Sequence, residues 1–334
     1  MLRGAFIGFG NVAEKGHAPG WRARPDVQIV AATDAAPSRC EEFLAAFPEG
    51  RWHESPQGLL AREVLDFVDV CAPPGAHAEL VGRALDAGLH ALSEKPLVTR
   101  VEDAAAIAGG SASAGRVVHT VHNWLKAPIC RTISALVEEG AVGVVRSVRW
   151  RTLRTQPAIA AGPAGVANWR VDPKLAGGGI LFDHGWHALY CVAHWAGVPG
   201  SVSARLEQRR HREWPLEDTA TVELETGSGV SEIFLTWAAD ERRNEIEIEG
   251  VRGRIHVEGA DVVFASDKGE RRFACPPALS EGSHHPDWFE GVIEDFLRAA
   301  KGEAASNLKE ALLCAHLIDA AQRSSAAGGA RLPV

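Results

Sequence analysis

The chain has 334 residues, 46% of them apolar and 23% charged, which describes a folded protein of about two domains and excludes a disordered chain. A net charge of −8 leaves no global basic field for nucleic acid or anionic lipid. No apolar run approaches the roughly 18 residues of a membrane helix.

The first third alternates strand and helix signals. Ala5–Ile7 is a short apolar strand running into Gly8, and a helix follows from about Asn11. Val27–Ala32 is the next strand, closing at Asp34, and Pro37 suits the first turn of a helix reaching Phe47. Phe67–Cys71 is a third strand, stopped by Pro73-Pro74, and a helix over 76–87 ends at Gly88. His90–Ser93 is a strand that ends in Glu94-Lys95-Pro96; a helix over 101–108 and a strand over 116–119 complete the series. Strands separated by helices predict a doubly wound parallel sheet, hence a Rossmann domain over 1–121.

Past residue 122 the pattern changes. A helix over 127–139 is followed by strands at 144–155, 201–210, 219–226, 230–238, 244–249, 253–257 and 261–265. Gly227-Ser228-Gly229 reads as a hairpin turn. Helices are expected over 180–195, 287–300 and 308–323. The second domain, 122–334, is therefore α+β with a mostly antiparallel sheet. Gln156–Val166, rich in Ala, Gly and Pro, reads as a mobile loop, and the last ten residues as frayed. Arg149, Arg151 and Arg154 read as the solvated face of a strand.

Four constellations carry chemistry. Gly8-Phe9-Gly10-Asn11-Val12-Ala13 matches G-x-G-x-x-A between a strand and a helix: Gly8 for the tight turn, Gly10 for approach of a pyrophosphate, Ala13 for helix–sheet packing. The helix N-terminus then offers free N–H groups to phosphate. Asp34 lies 21 residues beyond Ala13, close to the spacing at which a carboxylate receives the ribose hydroxyls. That carboxylate repels a 2′-phosphate and favours NAD(H), while Arg39 keeps NADP(H) as a minority reading. The second constellation is Ala72-Pro73-Pro74 with His77, at the C-terminal end of a central strand, where open α/β sheets bind ligands. The third is Glu94-Lys95-Pro96, which puts a cation with three donors near a substrate oxygen. The fourth is Gly177-Gly178-Gly179 followed by Asp183, His184 and His187. Asp183 and His187 are i,i+4 on one helix face, a spacing that lets a carboxylate orient an imidazole base. A zinc site from His184, His187 and His194 lacks both the His-Glu-x-x-His pattern and a cysteine pair, so no metal is expected.

In this order and spacing the four constellations resemble the Gfo/Idh/MocA oxidoreductases, which include glucose–fructose oxidoreductase and inositol dehydrogenase. Trp169-Arg170 looks like sugar-type members, and the resemblance spans nearly the whole chain. It implies a second domain with a large open-faced sheet that joins subunits into homodimers or homotetramers. It also implies hydride exchange between nicotinamide and a carbinol carbon. Lys95 would contact the substrate hydroxyl, His187 would accept its proton, and Asp183 would orient His187 and touch substrate. Two stretches depart from the family pattern. His122-Asn123-Trp124-Leu125-Lys126 stands where an aromatic-Arg or Asn-Tyr-Arg type sequence is usual, and Tyr190 where a small acid or amide is usual.

The expected activity is thus NAD(H)-dependent oxidation of a sugar, polyol or sugar derivative, with His122, Trp124, Trp169, Arg170 and His184 completing the substrate pocket. Trp124 or Trp169 would stack on a sugar ring, and Arg170 would bind an anionic substituent or pair with Asp172 or Glu94. Two alternatives stand beside it. A catalytically silent NAD-binding regulator would be expected to have lost Lys95, Asp183 or His187. An NAD-dependent glycosidase would react without net NADH. Six cysteines with no CxxC pair, and an N-terminus that reads straight into a strand, fit the cytoplasm.

Overall fold

The computed structural model describes residues 1–160 and 168–334. Part of the expected Gln156–Val166 loop lies outside the described residues. β1 (Leu2–Ile7) leads through the glycine turn into a π turn over Ala13–His17, α1 (Ala18–Arg22) and β2 (Val27–Thr33). Then come α2 (Arg39–Ala46), β3 (Arg51–His53), α3 (Pro56–Arg62), β4 (Phe67–Val70), α4 (His77–Asp86), β5 (His90–Ser93), α5 (Val101–Ala114) and β6 (Val118–Thr120). The sheet runs β3-β2-β1-β4-β5-β6 with every pair parallel. Its order reverses between β1 and β4, and there the strand ends open a crevice. Strands covered on both faces are apolar throughout. β4, Phe67-Val68-Asp69-Val70, is buried along its length, and this includes the carboxylate of Asp69.

The second half begins with α6 (Pro128–Glu138), β7 (Val145–Leu153), α7 (Pro173–Ala176) and α8 (Trp186–Ala196). Seven strands follow: β8 (Ser201–Glu207), β9 (Thr219–Thr226), β10 (Gly229–Thr236), β11 (Arg243–Gly250), β12 (Gly253–Glu258), β13 (Asp261–Ser266) and β14 (Gly269–Ala274). The chain closes with α9 (Pro286–Ala300), α10 (Leu308–Ala326) and β15 (Leu332–Pro333). The nine strands form one sheet, ordered β14-β13-β12-β11-β7-β10-β9-β8-β15 and antiparallel except between β7 and β10. Period-2 alternation sorts its faces. Val148, Trp150, Ile233, Leu235, Ile246 and Ile248 point into the core beneath α6, α8 and α10. Arg149 and Arg151 point outward and pair across strands with Glu247 (3.3 Å) and Glu245 (3.0 Å). Arg154, one residue past β7, leaves that face: it is buried and donates to the Leu153 carbonyl (2.7 Å) and Asn244 Oδ1 (2.9 Å).

Two differences from the sequence reading concern how the halves join. α9 does not belong to the second core alone, which takes its Trp288. Its Phe289, Val292, Ile293 and Phe296 pack with Phe6, Phe9, Trp21 and Phe67 of the parallel sheet. The last residues are not all free either, because Leu332 and Pro333 pair with β8.

Candidate active site

The glycine turn is built as its spacing predicts. Gly8 has φ +93°, and a Cβ there would lie 2.6 Å from the Ala72 nitrogen, so any side chain is excluded. At Gly10 a Cβ would meet open space, a cradle in front of the backbone at the start of the first helix. Asp34 closes β2 and accepts the N–H groups of Phe9 (2.7 Å) and Ala36 (2.7 Å), which locks the turn and leaves each oxygen capacity for a further donor. Arg39 is held at this rim by Glu14 (3.5 Å), Glu42 (3.6 Å) and the Asn11 amide oxygen (3.2 Å), so its charge is already balanced. These residues fit a dinucleotide with a free ribose 2′-hydroxyl. Val12 and Ala13 continue the first turn, where helix N–H groups have no partner within the helix.

Next to this cradle, His77 departs from its expected role. It is fully buried, with Nδ1 2.7 Å from the Pro96 carbonyl and Nε2 2.7 Å from the Ala72 carbonyl. Burial lowers its pKa and keeps the ring neutral, so its one N–H donates to one of these two carbonyls, and with both nitrogens facing the protein neither is turned to a nucleotide. The Glu94 side chain is likewise turned inward: Oε1 lies 3.1 Å from His17 Nε2, and Oε2 accepts the Lys95 N–H (2.9 Å).

Behind Glu94 sits a cluster that the sequence reading did not anticipate. His17 Nδ1 faces Asp69 Oδ2 (2.9 Å) and Cys71 Sγ (3.2 Å), and Trp21 Nε1 donates to the same Asp69 oxygen (2.7 Å). Burial alone would lower the His17 pKa, but Asp69 and Glu94 outweigh it and raise it to about 9. His17 is therefore an imidazolium between two carboxylates, with its ring stacked on Phe289 at 3.7 Å. The one signal in the sequence is Asp69, a carboxylate interrupting an otherwise apolar strand.

The chemical groups converge where Lys95 reaches the second half of the chain. Lys95 Nζ donates to the Asp183 carbonyl (2.5 Å) and lies 3.5 Å from Asp183 Oδ1. Arg170 donates to the same Oδ1 (3.0 Å) while its guanidinium lies 4.4 Å over the Trp169 ring. Arg170 thus pairs with neither Asp172 nor Glu94, the acids expected from the sequence; it belongs to Asp183. Burial would raise the Asp183 pKa, but Arg170, His184 and Lys95 hold the carboxyl well below the usual carboxylate range. Burial also lowers Lys95, opposed by Asp183 and assisted by Arg170. His184 lies 3.7 Å from Asp183 Oδ2 and burial takes its pKa down to about 3, so it is neutral.

Asp183 does not orient His187. Leu181–Gly185 form a π turn, whose wider spacing breaks the i,i+4 alignment on which that pairing depended. His187 instead places Nδ1 2.9 Å from the Tyr190 hydroxyl and stacks on Trp124 at 4.7 Å. His122 and Trp124 are correspondingly unavailable as sugar platforms. Trp124 backs His187, and His122 is buried, accepts from Trp186 Nε1 (3.2 Å) and stacks on Tyr190 at 4.1 Å. Nor do His184, His187 and His194 converge, since His194 pairs with Glu138 (3.5 Å). Among the described residues the one group close enough to share a metal is His17, Asp69 and Cys71, and its atoms already satisfy one another.

The glycine run serves the chain's own packing. A Cβ on Gly179 would fall 1.9 Å from the Glu217 carbonyl, and one on Gly178 would meet the Phe182 ring at 2.2 Å. Glu217, unnoticed in the sequence, accepts the N–H groups of Gly179 (2.9 Å) and Leu181 (3.1 Å) and so fixes the start of this helix. Arg170 Nε and His184 Nδ1 are buried without a partner among the described residues.

Comparison with known proteins finds relatives over both halves of the chain. A family model described as an oxidoreductase family with an NAD-binding Rossmann fold matches residues 2–122, and one described as a GFO/IDH/MocA C-terminal domain matches 130–256. The chain is similar to D-glucoside 3-dehydrogenase of Escherichia coli (strain K12), 31% identical over 212 residues. That match covers 62% of this chain and 58% of the relative, less than two thirds of its length. It is also similar to a dTDP-3,4-didehydro-2,6-dideoxy-alpha-D-glucose 3-reductase of Actinomadura kijaniata, 28% identical, with 90% and 92% of the two chains covered. In three dimensions it resembles an oxidoreductase from Agrobacterium radiobacter solved with NAD+, L-tartaric acid and magnesium. There the TM-score is 0.84 at 24% identity, and 99% and 98% of the chains are covered.

Proposed function

The chain belongs to the Gfo/Idh/MocA oxidoreductase family, and on that premise we propose that it exchanges hydride between NAD(H) and a secondary hydroxyl or ketone of a sugar, polyol or sugar derivative. The observation that carries this reading is the contact of Lys95, from the nucleotide-binding half, with Asp183, from the other half. Both line one pocket with Pro74, Trp169 and Arg170, and His187 would act from beside it. Bound nicotinamide would supply the hydride acceptor or donor. Gly8, Gly10, Asn11, Val12 and Ala13 would hold the pyrophosphate, Asp34 the adenosine ribose, and the Ala72–Pro74 turn would flank the nucleotide. Lys95 and His187 would hold the reacting oxygen and exchange its proton. Trp169, Arg170 and His184 would meet the rest of the substrate; the unpartnered Arg170 Nε favours a molecule that offers an oxygen acceptor. The balanced charge of Arg39 supports NAD(H) over NADP(H).

We further assign the charged outer face of the nine-stranded sheet as the contact of a homodimer or homotetramer, and the cytoplasm as the compartment, in keeping with six free cysteines. No helix of the described residues is long and apolar enough to cross a membrane. The test is a thermal-shift series with NAD+, NADH, NADP+ and NADPH, then NADH production at 340 nm across polyols and sugars. Stabilisation of a few kcal/mol by NAD(H) at about 100-fold excess over Kd is expected. Absence of any shift in a preparation free of co-purified nucleotide would refute the cofactor, and turnover without net NADH would refute the dehydrogenase.

A further inference from the structure

Tyr190 is the single tyrosine of the chain, it is buried, and its hydroxyl has two hydrogen-bonding neighbours. The Trp124 backbone N–H donates to it at 3.0 Å, and His187 Nδ1 lies 2.9 Å away. A backbone N–H can only donate, so the Tyr190 oxygen is an acceptor there. Among the described residues its own hydrogen then has one acceptor, His187 Nδ1. A neutral imidazole that accepts at Nδ1 carries its hydrogen on Nε2. The reverse tautomer, Nδ1–H donating to Tyr190, would leave a buried hydroxyl hydrogen with nothing to bind. We infer that Tyr190 is a positioning residue that fixes His187 as the Nε2–H tautomer, so that His187 meets the substrate oxygen as a hydrogen-bond donor and Lys95 is the proton acceptor in alcohol oxidation.

This deepens the proposed function and rests on it. An imidazole whose exposed nitrogen already carries hydrogen has no lone pair for the substrate proton. A charged resting form is disfavoured by the surroundings: burial holds His187 well below its ordinary range, with Lys95, His184 and His122 adding to that and Asp183 opposing. Tyr190 itself is faced by Cys191, Cys130 and Cys314, none of which supplies a charge to ionise it. Asp183 is already engaged by Lys95 and Arg170, and the free nitrogen of His184, Nδ1, is buried; that leaves Lys95, its ammonium destabilised by burial and held by the Asp183 carbonyl. As a neutral amine it still donates to Asp183 and offers one lone pair. In the oxidation the substrate O–H bond breaks, its proton goes to Lys95 Nζ and its electron pair becomes the second C–O bond. The hydride leaves carbon for NAD+, whose nicotinamide is reduced.

The experiment is two-bond 1H–15N NMR of the full chain with labelled histidine, without nucleotide and with NADH. Of the 14 histidines, His187 is identified by the signals lost in His187→Gln. The expected pattern is an unprotonated Nδ1 and a protonated Nε2, with a cross-peak from the lone tyrosine hydroxyl proton to that Nδ1. Tyr190→Phe is expected to move the His187 Nδ1 signal and abolish the cross-peak. A wild-type Nδ1–H pattern overturns the proposal without recourse to any variant. Kinetics then separate the roles. Lys95→Arg, which cannot give up a proton, is expected to lose about 100- to 10,000-fold in oxidation rate, as for a missing general base. His187→Gln, which keeps a donor, is expected to lose about tenfold. Equal losses in the two variants overturn the assignment of Lys95. An Nε2–H tautomer in a chain that turns over no alcohol would keep the role of Tyr190 and overturn that of Lys95 together with the functional reading.

Discussion

Replacing His17 by Gln should remove a pH-dependent part of this protein's stability. His17 is 2% exposed between Asp69 and Glu94, and its pKa is raised from 6.5 to about 9. A raised folded-state value contributes stability that is full below about 6.5 and is lost as pH climbs through about 9. At 1.36 kcal/mol per tenfold the rise is worth about 3 kcal/mol. At pH 6 the variant would leave Asp69 and Glu94 without their cation, and a broken buried pair costs about 3–5 kcal/mol. By pH 9.5 much of the difference between wild type and variant should have vanished, because wild-type His17 has by then lost its proton. The assay is urea unfolding of both proteins at pH 6, 7.5 and 9.5, with the His17 ring titration followed by NMR. Parallel pH dependence in the two proteins, or a His17 that titrates near 6.5, would refute the reasoning. Because Glu94 also holds the Lys95 N–H, a fall in activity at unchanged nucleotide affinity should accompany the loss.

Gly8→Ala should abolish the nucleotide-induced thermal shift, since its Cβ would collide with the Ala72 backbone at a positive φ; a normal shift would contradict the geometry. Asp34→Asn should reduce the preference for NAD+ over NADP+ about tenfold or more, read as the ratio of kcat/KM values, because the repulsion of a 2′-phosphate disappears. Some loss of melting temperature is expected too, as Asp34 anchors two backbone N–H groups. His77→Leu should destabilise the fold by about 1–3 kcal/mol in a chemical unfolding experiment, by orphaning the buried carbonyl to which the ring N–H donates.

Features set by local chemistry are legible in the sequence. Alternation along β7, β10 and β11, against strands separated by helices in the first third, specifies two kinds of sheet, and Gly8 announces a turn that tolerates no side chain. Features set by tertiary contact are not. β3 and α3 escape the pattern although Ser55 caps α3, accepting the Gly58 N–H at 3.1 Å ahead of Pro56. β14 is hidden by Glu270, Arg271 and Arg272, charges that suit an edge strand. α5 runs six residues beyond its expected end, and in that extension Gly110 lies against Leu85 of α4. In the site, Lys95, Asp183 and Arg170 do lie together, although they come from distant parts of the chain. The partner of His187 differs from the expected one because i,i+4 pairing holds at 3.6 residues per turn, and the backbone there makes a π turn. His77 and His122 look available to ligands because nothing local reveals that distant carbonyls and an indole have already claimed them.

The excursion of α9 into the parallel-sheet core limits how this protein can be cut and recombined. A fragment ending at residue 121 would present Phe6, Phe9, Trp21 and Phe67 without Phe289 and Phe296, an apolar surface prone to aggregate. An exchange of substrate specificity between relatives should therefore leave α9 with its native parallel sheet while moving α10 and β15 together with β8, to which they are bound. A chimera joined once, near residue 122, would ask one protein's phenylalanines to fit another protein's socket.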